Sequence, residues 1–249
     1  MTFHVIIPAR YQSVRLPGKP LLKIGDRTMI EHVCQRAKES NAESITVATD
    51  NQKILDCVKS AGFNAVMTNP NHLSGSDRIY EAAQILKLNS ETTIVNVQGD
   101  EPFIPPENIA QVANLISKHK CKMATLCCAI AKPEEASNPN AVKVIFDKNS
   151  KAIYFSRAQI PYQREKICDD TLVKYYRHIG IYAYTKSFLS DFVKWPESYL
   201  ESTEKLEQLR AIENGVDIYI DTLEKPPPSG IDTQEDLEIA RKYYLSSTN

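Results

Sequence analysis

Buried strands alternating with amphipathic helices fill the first 120 residues, and few folds accommodate that order. Phe3, Val5, Ile6 and Ile7 make an apolar run that halts at Pro8, which predicts a buried strand over residues 3–7 giving way to a loop. Residues 27–40 predict a helix whose Met29, Ile30, Val33, Cys34 and Ala37 share one face. A second strand is expected at 44–49 with Asp50 at its carboxyl end, then a helix at 52–61 capped at Gly62 and a short strand at 65–67. A helix at 74–86 precedes a strand at 93–97, which runs into Gln98-Gly99-Asp100-Glu101-Pro102. Pro106 then opens a helix to about residue 117, as proline does in a first helical turn. This alternation is the signature of a parallel sheet wound by crossover helices.

The second half is less regular. Residues 123–130, 141–146 and 152–156 are β-rich without long helices between them, and 179–184 reads as another buried strand. Helices are expected at 186–195 and 203–213, a strand at 216–220, a stiff loop at Pro226-Pro227-Pro228 and a closing helix at 233–244. The fold class is therefore α/β: a doubly wound, mostly parallel sheet with a smaller β-rich inserted lobe. The whole chain reads as a single domain, 1–249, with an α/β half to about 120, a lobe over about 121–230 and the closing helix after it.

Residue usage removes several chemistries. No two of the eight glycines lie two, four or five positions apart, so the dinucleotide fingerprint, the nucleophile elbow and the Walker loop are all absent. The five histidines are scattered, which excludes a helix-borne zinc pair. Six cysteines without a C-x-x-C pair point to a reducing compartment, and Cys127 and Cys128 read as buried thiols. A net charge of −1 offers no field for nucleic acid or an anionic membrane. No 18-residue apolar stretch and no signal-peptide pattern at Met1–Pro8 occur, so the expectation is a soluble, cytoplasmic protein.

Charge is nonetheless uneven. Residues 1–25 carry Arg10, Arg15, Lys19 and Lys23 and no acid, whereas residues 197–239 are rich in acids. The run Pro8-Ala9-Arg10-Tyr11-Gln12-Ser13-Val14-Arg15-Leu16-Pro17-Gly18-Lys19-Pro20 leaves a buried strand at the sheet edge where open α/β folds bind ligands. Arginine offers a planar fork and lysine a point charge, so this loop can surround a triphosphate without P-loop geometry. A solvated basic loop is the plain alternative on spacing alone. Asp100, just past a strand, can equally be a turn carboxylate or a helix cap, and Ser74 can be an N-cap.

Further blocks accompany the loop. They are Ala48-Thr49-Asp50, His72-Leu73-Ser74-Gly75-Ser76-Asp77-Arg78, Val95-Asn96-Val97-Gln98-Gly99-Asp100-Glu101-Pro102 and Asn138-Pro139-Asn140-Ala141-Val142-Lys143. Tyr154-Phe155-Ser156-Arg157, Arg177-His178-Ile179-Gly180-Ile181-Tyr182, Leu206-Glu207-Gln208-Leu209-Arg210 and Ile231-Asp232-Thr233-Gln234-Glu235-Asp236-Leu237-Glu238 follow in order. Together, from residue 5 to about 240, they resemble the 3-deoxy-manno-octulosonate cytidylyltransferase (CMP-Kdo synthetase) family.

The resemblance implies transfer of a cytidylyl group from CTP to 3-deoxy-D-manno-octulosonate (Kdo), with Mg²⁺ and in a homodimer, for lipopolysaccharide biosynthesis. It places Pro8, Ala9, Arg10, Arg15, Lys19, Ser74 and Gly75 on the nucleotide, and Asp100 and Asp232 on the metal. Arg10, Arg15, Lys19 and Asp100 then carry the chemistry, Asp100 being the nearest candidate for a base. An acidic sugar needs donors, for which Arg78, Arg157 and His178 are candidates, with Gln98, Tyr182, Glu207 and Gln208 for its hydroxyls. Read alone, Arg157 is a surface arginine, His178 a structural histidine and the acids of 203–213 a solvated helix face. Ser202 stands where the family often has histidine, which leaves an amino-substituted octulosonate open. Sialic acid is the alternative from a neighbouring class, although Arg15-Leu16-Pro17-Gly18-Lys19 favours the octulosonate branch.

Overall fold

In the computed structural model, which describes residues 2–13, 15–164 and 174–247, the predicted alternation is realised. Val14, inside the basic loop, and Met1 lie outside the described residues. The elements run β1 (Phe3–Ala9), β2 (Lys23–Ile24), β3 (Arg27–Thr28), α1 (Met29–Glu39), β4 (Ser44–Thr49), α2 (Gln52–Ser60), β5 (Asn64–Met67), α3 (Gly75–Ile85), β6 (Thr93–Asn96) and α4 (Pro106–His119). Then come β7 (Met123–Ala129), α5 (Pro133–Ser137), β8 (Lys143–Phe146), β9 (Ala152–Ser156), β10 (Tyr176–Thr185), α6 (Lys186–Phe192), α7 (Tyr199–Glu204), α8 (Leu209–Glu213), β11 (Ile218–Leu223) and α9 (Gln234–Ser247). Two compact units divide the chain, one of Met1–Ala110 with Pro227–Asn249 and one of Gln111–Pro226.

In the first unit β1 pairs in parallel with β4 on one side and β6 on the other, and β5 extends the sheet beyond β4. Val5, Ile6, Ile7, Val47, Ile94 and Val95 are fully buried, as are Ile30 and Val33 of α1 and Ile79 and Ala82 of α3. Burial on both faces explains why these strands read as continuous apolar runs instead of alternating ones. β1 continues through Pro8 to Ala9, two residues past the expected stop. Its ladder with β6 ends at Ile6, while that with β4 runs on to Ala9. Pro8 thus has one open side, where a residue without an N–H is tolerated.

The second unit is β-rich as expected. β10 lies antiparallel to β7, with an irregularity between Ile179 and Tyr182, and β11 is parallel to β7. β8 and β9 form an antiparallel pair, joined to β10 at Lys143 and Arg177. The helix expected over 203–213 is two short helices instead. Lys205 takes a left-handed conformation (φ +53°) that ends α7, and α8 starts only at Leu209. An Arg210–Glu201 ion pair, with Nε and Nη2 at 2.7 and 2.5 Å, bridges the break and lies against Phe192. Glu201, just before the expected span, is buried, while within that span Glu204 and Glu207 are half-buried and Glu213 is exposed.

All five cysteines among the described residues are unpaired. Burial pushes the Cys127 thiol up to about 12, so it stays protonated as the plain sequence reading expects.

Candidate active site

The chain order creates a crevice before any side chain is considered. β1 is followed by β4 and then β5 on one side, whereas β6 returns to the other side of β1. Open α/β sheets bind ligands where the strand order reverses in this way, at the carboxyl ends of the strands. The loops leaving β1 and β6 meet there. A Cβ on Gly99 would stand 3.0 Å from the Pro8 carbonyl oxygen, so the β6 loop passes β1 this closely only as glycine. Gly18, at φ +67°, turns the chain into a short 3-10 turn that begins at Lys19. Leu16, Ile24, Met29, Ile231, Leu237 and Ala240 form one buried cluster. Anchoring Leu16 and Ile231 fixes their neighbours Arg15 and Asp232 in turn.

A cavity of about 790 Å³ opens at this point. Pro8, Ala9, Arg10, Arg15, Lys19, Ser74, Gly75, Arg78, Gln98, Asp100 and Asp232 all line it. The two aspartates, far apart in sequence, converge on one ammonium. Lys19 Nζ donates to Asp100 Oδ2 at 2.6 Å and to Asp232 Oδ1 at 2.9 Å, with only 12% of its side chain exposed. Arg15 Nη2 lies 3.1 Å from the other oxygen of Asp232. The backbone holds this closure, because Ile231 N donates to the Asp100 carbonyl at 2.9 Å.

These residues fit a hard divalent cation. Two carboxylates already share a cation position, and Mg²⁺ takes one or two carboxylates with phosphate oxygens and water. Among the described residues no cluster of three or more His, Cys, Asp or Glu offers a complete protein cage. The remaining ligands would have to come with the substrate.

Ser74 caps α3, accepting from Asp77 N at 3.2 Å while Asp77 Oδ2 accepts from Ser74 N at 3.1 Å. The cap reading and the cavity reading coincide, since the first turn of α3 borders the cavity and favours an anion. Sequence reasoning assigned no role to Tyr11 or His72, which also line it. His72 Nε2 meets Glu81 Oε2 at 2.5 Å, and Glu81 also accepts from Asn69 N, which braces the loop before α3. Their only signal was membership of the quoted blocks.

Two expected sugar donors are already engaged within the protein. Arg78 is 3% exposed, and its guanidinium donates to Asp50 Oδ2 at 2.9 Å and Thr68 Oγ1 at 2.6 Å. Arg157, in the second unit, gives Nε to the Glu204 carbonyl and Nη1 to the Pro139 carbonyl, while Glu204 accepts from its backbone N–H. Neither guanidinium is offered free to a carboxylate.

The other expected sugar residues of the second unit lie on β10 and at the start of α8. His178 Nε2 lies 3.1 Å from Thr125 Oγ1, with Phe155 and Tyr182 as ring neighbours. Burial pulls its pKa down to about 3, so it meets any ligand as a neutral imidazole. Burial likewise keeps the Tyr182 phenol protonated. Glu207 is partly exposed beside Gln208. Gln208 is 5% exposed, and its amide nitrogen has no hydrogen-bond partner among the described residues.

A switch-point crevice lined by a cationic loop and a paired carboxylate site marks the chain as an α/β nucleotidyltransferase. A solved cytidylyltransferase of Leptospira borgpetersenii superposes with a TM-score of 0.63 over 99% of this chain and 92% of that one. At 20% identity it speaks for the fold alone. Residues 4–218 match the Cytidylyltransferase family, and the 3-deoxy-manno-octulosonate cytidylyltransferase of Marinobacter nauticus is 49% identical over 95% of both chains. A solved CMP:2-keto-3-deoxy-manno-octonic acid synthetase complexed with CTP superposes with a TM-score of 0.92 at 37% identity, over 99% of this chain and 100% of that one. The chain belongs to the 3-deoxy-manno-octulosonate cytidylyltransferase family.

Proposed function

We propose that this enzyme transfers the cytidylyl group of CTP to Kdo, giving CMP-Kdo and pyrophosphate. The observation that carries the reading is the convergence of Asp100, Asp232 and Lys19 beside Arg10 and Arg15 in one cavity of the first unit. The anomeric hydroxyl oxygen of Kdo attacks the α-phosphorus of CTP and forms a new P–O bond. The bond from the α-phosphorus to the α/β bridging oxygen breaks, its electron pair stays on that oxygen, and pyrophosphate leaves. The hydroxyl proton is released to a base. Such transfers rely on positioning and charge stabilisation more than on covalent chemistry.

Each residue then has a task. Arg10, Arg15 and Lys19 balance the charge that builds on the departing pyrophosphate. Asp100 and Asp232 hold Mg²⁺, which supplies Lewis-acid polarisation of phosphate oxygens when bound. Pro8, Ala9, Ser74 and Gly75 border the nucleotide. Gln98, His178, Tyr182, Glu207 and Gln208 receive the sugar, the buried free amide of Gln208 being the donor best suited to a hydroxyl, and Arg157 supports them through the Glu204 and Pro139 carbonyls it holds. Arg78 serves that side through the wall it braces. By the same resemblance the enzyme is a cytoplasmic homodimer that activates Kdo for lipopolysaccharide. No helix among the described residues is long and apolar enough to cross a membrane.

Pyrophosphate release is measured with each of the four nucleoside triphosphates against Kdo, 8-amino-Kdo and sialic acid, with and without Mg²⁺. The expected result is Mg²⁺-dependent release with CTP and Kdo. Equal release with sialic acid, or none with either octulosonate, overturns the reading.

A further inference from the structure

Lys19 occupies the position that a bridging cation would need. Asp100 and Asp232 turn one oxygen each toward the same point, and the ammonium fills that point at 2.6 and 2.9 Å. The contact is shielded, since the Lys19 side chain is 12% exposed. Two carboxylates brought together repel one another, and the single positive charge between them offsets that repulsion. An ammonium and a divalent cation cannot both hold the same two oxygens. The lysine stem is flexible, and its ammonium is a compact point charge that follows the strongest local anion.

We infer that Lys19 is an internal counter-ion that keeps the Asp100–Asp232 pair closed to divalent metal in the nucleotide-free enzyme. Phosphate oxygens arriving in the cavity compete for the ammonium, and only then are both carboxylates released to a metal. Metal entry is thereby coupled to nucleotide entry. This deepens the proposed function and rests on its placement of phosphates beside Lys19.

The rival explanation is a general one, in which any positive charge on the loop repels metal. Arg10 separates the two. It is exposed in the same loop, lines the same cavity and has no carboxylate partner among the described residues. The experiment titrates the full chain with Mn²⁺ in the absence of nucleotide and follows unbound Mn²⁺ by electron paramagnetic resonance. Wild type is compared with Lys19→Met, Lys19→Gln and Arg10→Met, each confirmed as folded by its thermal transition. The glutamine variant keeps the question answerable if the methionine variant does not fold. Binding at least tenfold tighter in the Lys19 variants, with less than a threefold change in Arg10→Met, is the expected result. Unchanged affinity in the Lys19 variants, an equal gain in Arg10→Met, or no Mn²⁺ binding by any of the proteins overturns the inference. Because the titration involves neither CTP nor Kdo, its failure is distinct from a failure of pyrophosphate release.

Discussion

Arg78 and Asp50 form an ion pair at 2.9 Å in which 4% and 15% of the two side chains are exposed. Asp50 follows directly on β4, Arg78 belongs to α3, and the second Asp50 oxygen faces the backbone N–H of Tyr11 at 3.4 Å. One carboxylate therefore ties two walls of the cavity together. Removing one partner of a buried pair strands the other charge, at a cost of about 3 kcal/mol. Asp50→Asn should lower the unfolding free energy read from a urea titration by that much, and Asp50→Leu with Arg78→Met should recover most of the loss. If Arg78→Met instead keeps its midpoint and raises only the KM for Kdo, the guanidinium leaves Asp50 for the sugar and the bracing role fails.

Asp100 is the carboxylate closest to Lys19, and its charge is the property the site uses. Asp100→Asn keeps the shape and removes the charge. Turnover should fall by about a hundredfold or more, roughly 2.7 kcal/mol of transition-state stabilisation. Asp232→Asn should act in the same direction. Steady-state kinetics at saturating Mg²⁺ provide the check, and a near-normal kcat removes Asp100 from the mechanism.

How much of this was legible in the chain depends on range. The basic loop, the Ser74 cap and the strand ends carrying Asp50 and Asp100 are local signals, readable from apolar runs, prolines and a cap residue. The meeting of Asp100 with Asp232 is not local, and only resemblance to a family anticipated it. Pro8 reads locally as a strand stop because its tolerance depends on where the neighbouring β6 ladder ends. The break at Lys205 had no glycine or asparagine to announce it, and the Glu201–Arg210 pair that spans it is tertiary. Arg78 and Arg157 looked like free donors because their partners lie on other segments, Asp50 and Glu204.

The neutral state of His178 makes stability depend on pH with a definite sign. Its pKa is about 3 in the folded chain against 6.5 in the unfolded one, so below pH 6.5 the unfolded state binds the extra proton. Stability from this residue is intact above pH 6.5 and is lost progressively as pH falls toward 3. At pH 5.5 the loss is about 1.4 kcal/mol. The His178 ring resonance should not titrate between pH 7.5 and 5, and His178→Asn should flatten the dependence of the urea midpoint over that interval. A ring titrating near 6.5 contradicts the burial argument.

Gln208 separates binding from stability more sharply. A buried donor without a partner costs about 1–3 kcal/mol, whereas an apolar group of similar shape at the same place carries no such penalty. The amide nitrogen of Gln208 is in that condition in the ligand-free chain. Gln208→Leu should therefore leave the thermal transition unchanged or raise it by a few degrees. If the amide donates to a sugar hydroxyl, the same substitution should raise the KM for Kdo about tenfold while the KM for CTP stays within twofold. Melting curves and initial rates on one preparation decide the matter. A destabilised variant shows that the amide has a structural partner, and a stabilised variant with an unchanged KM for Kdo shows that it has no part in binding the sugar.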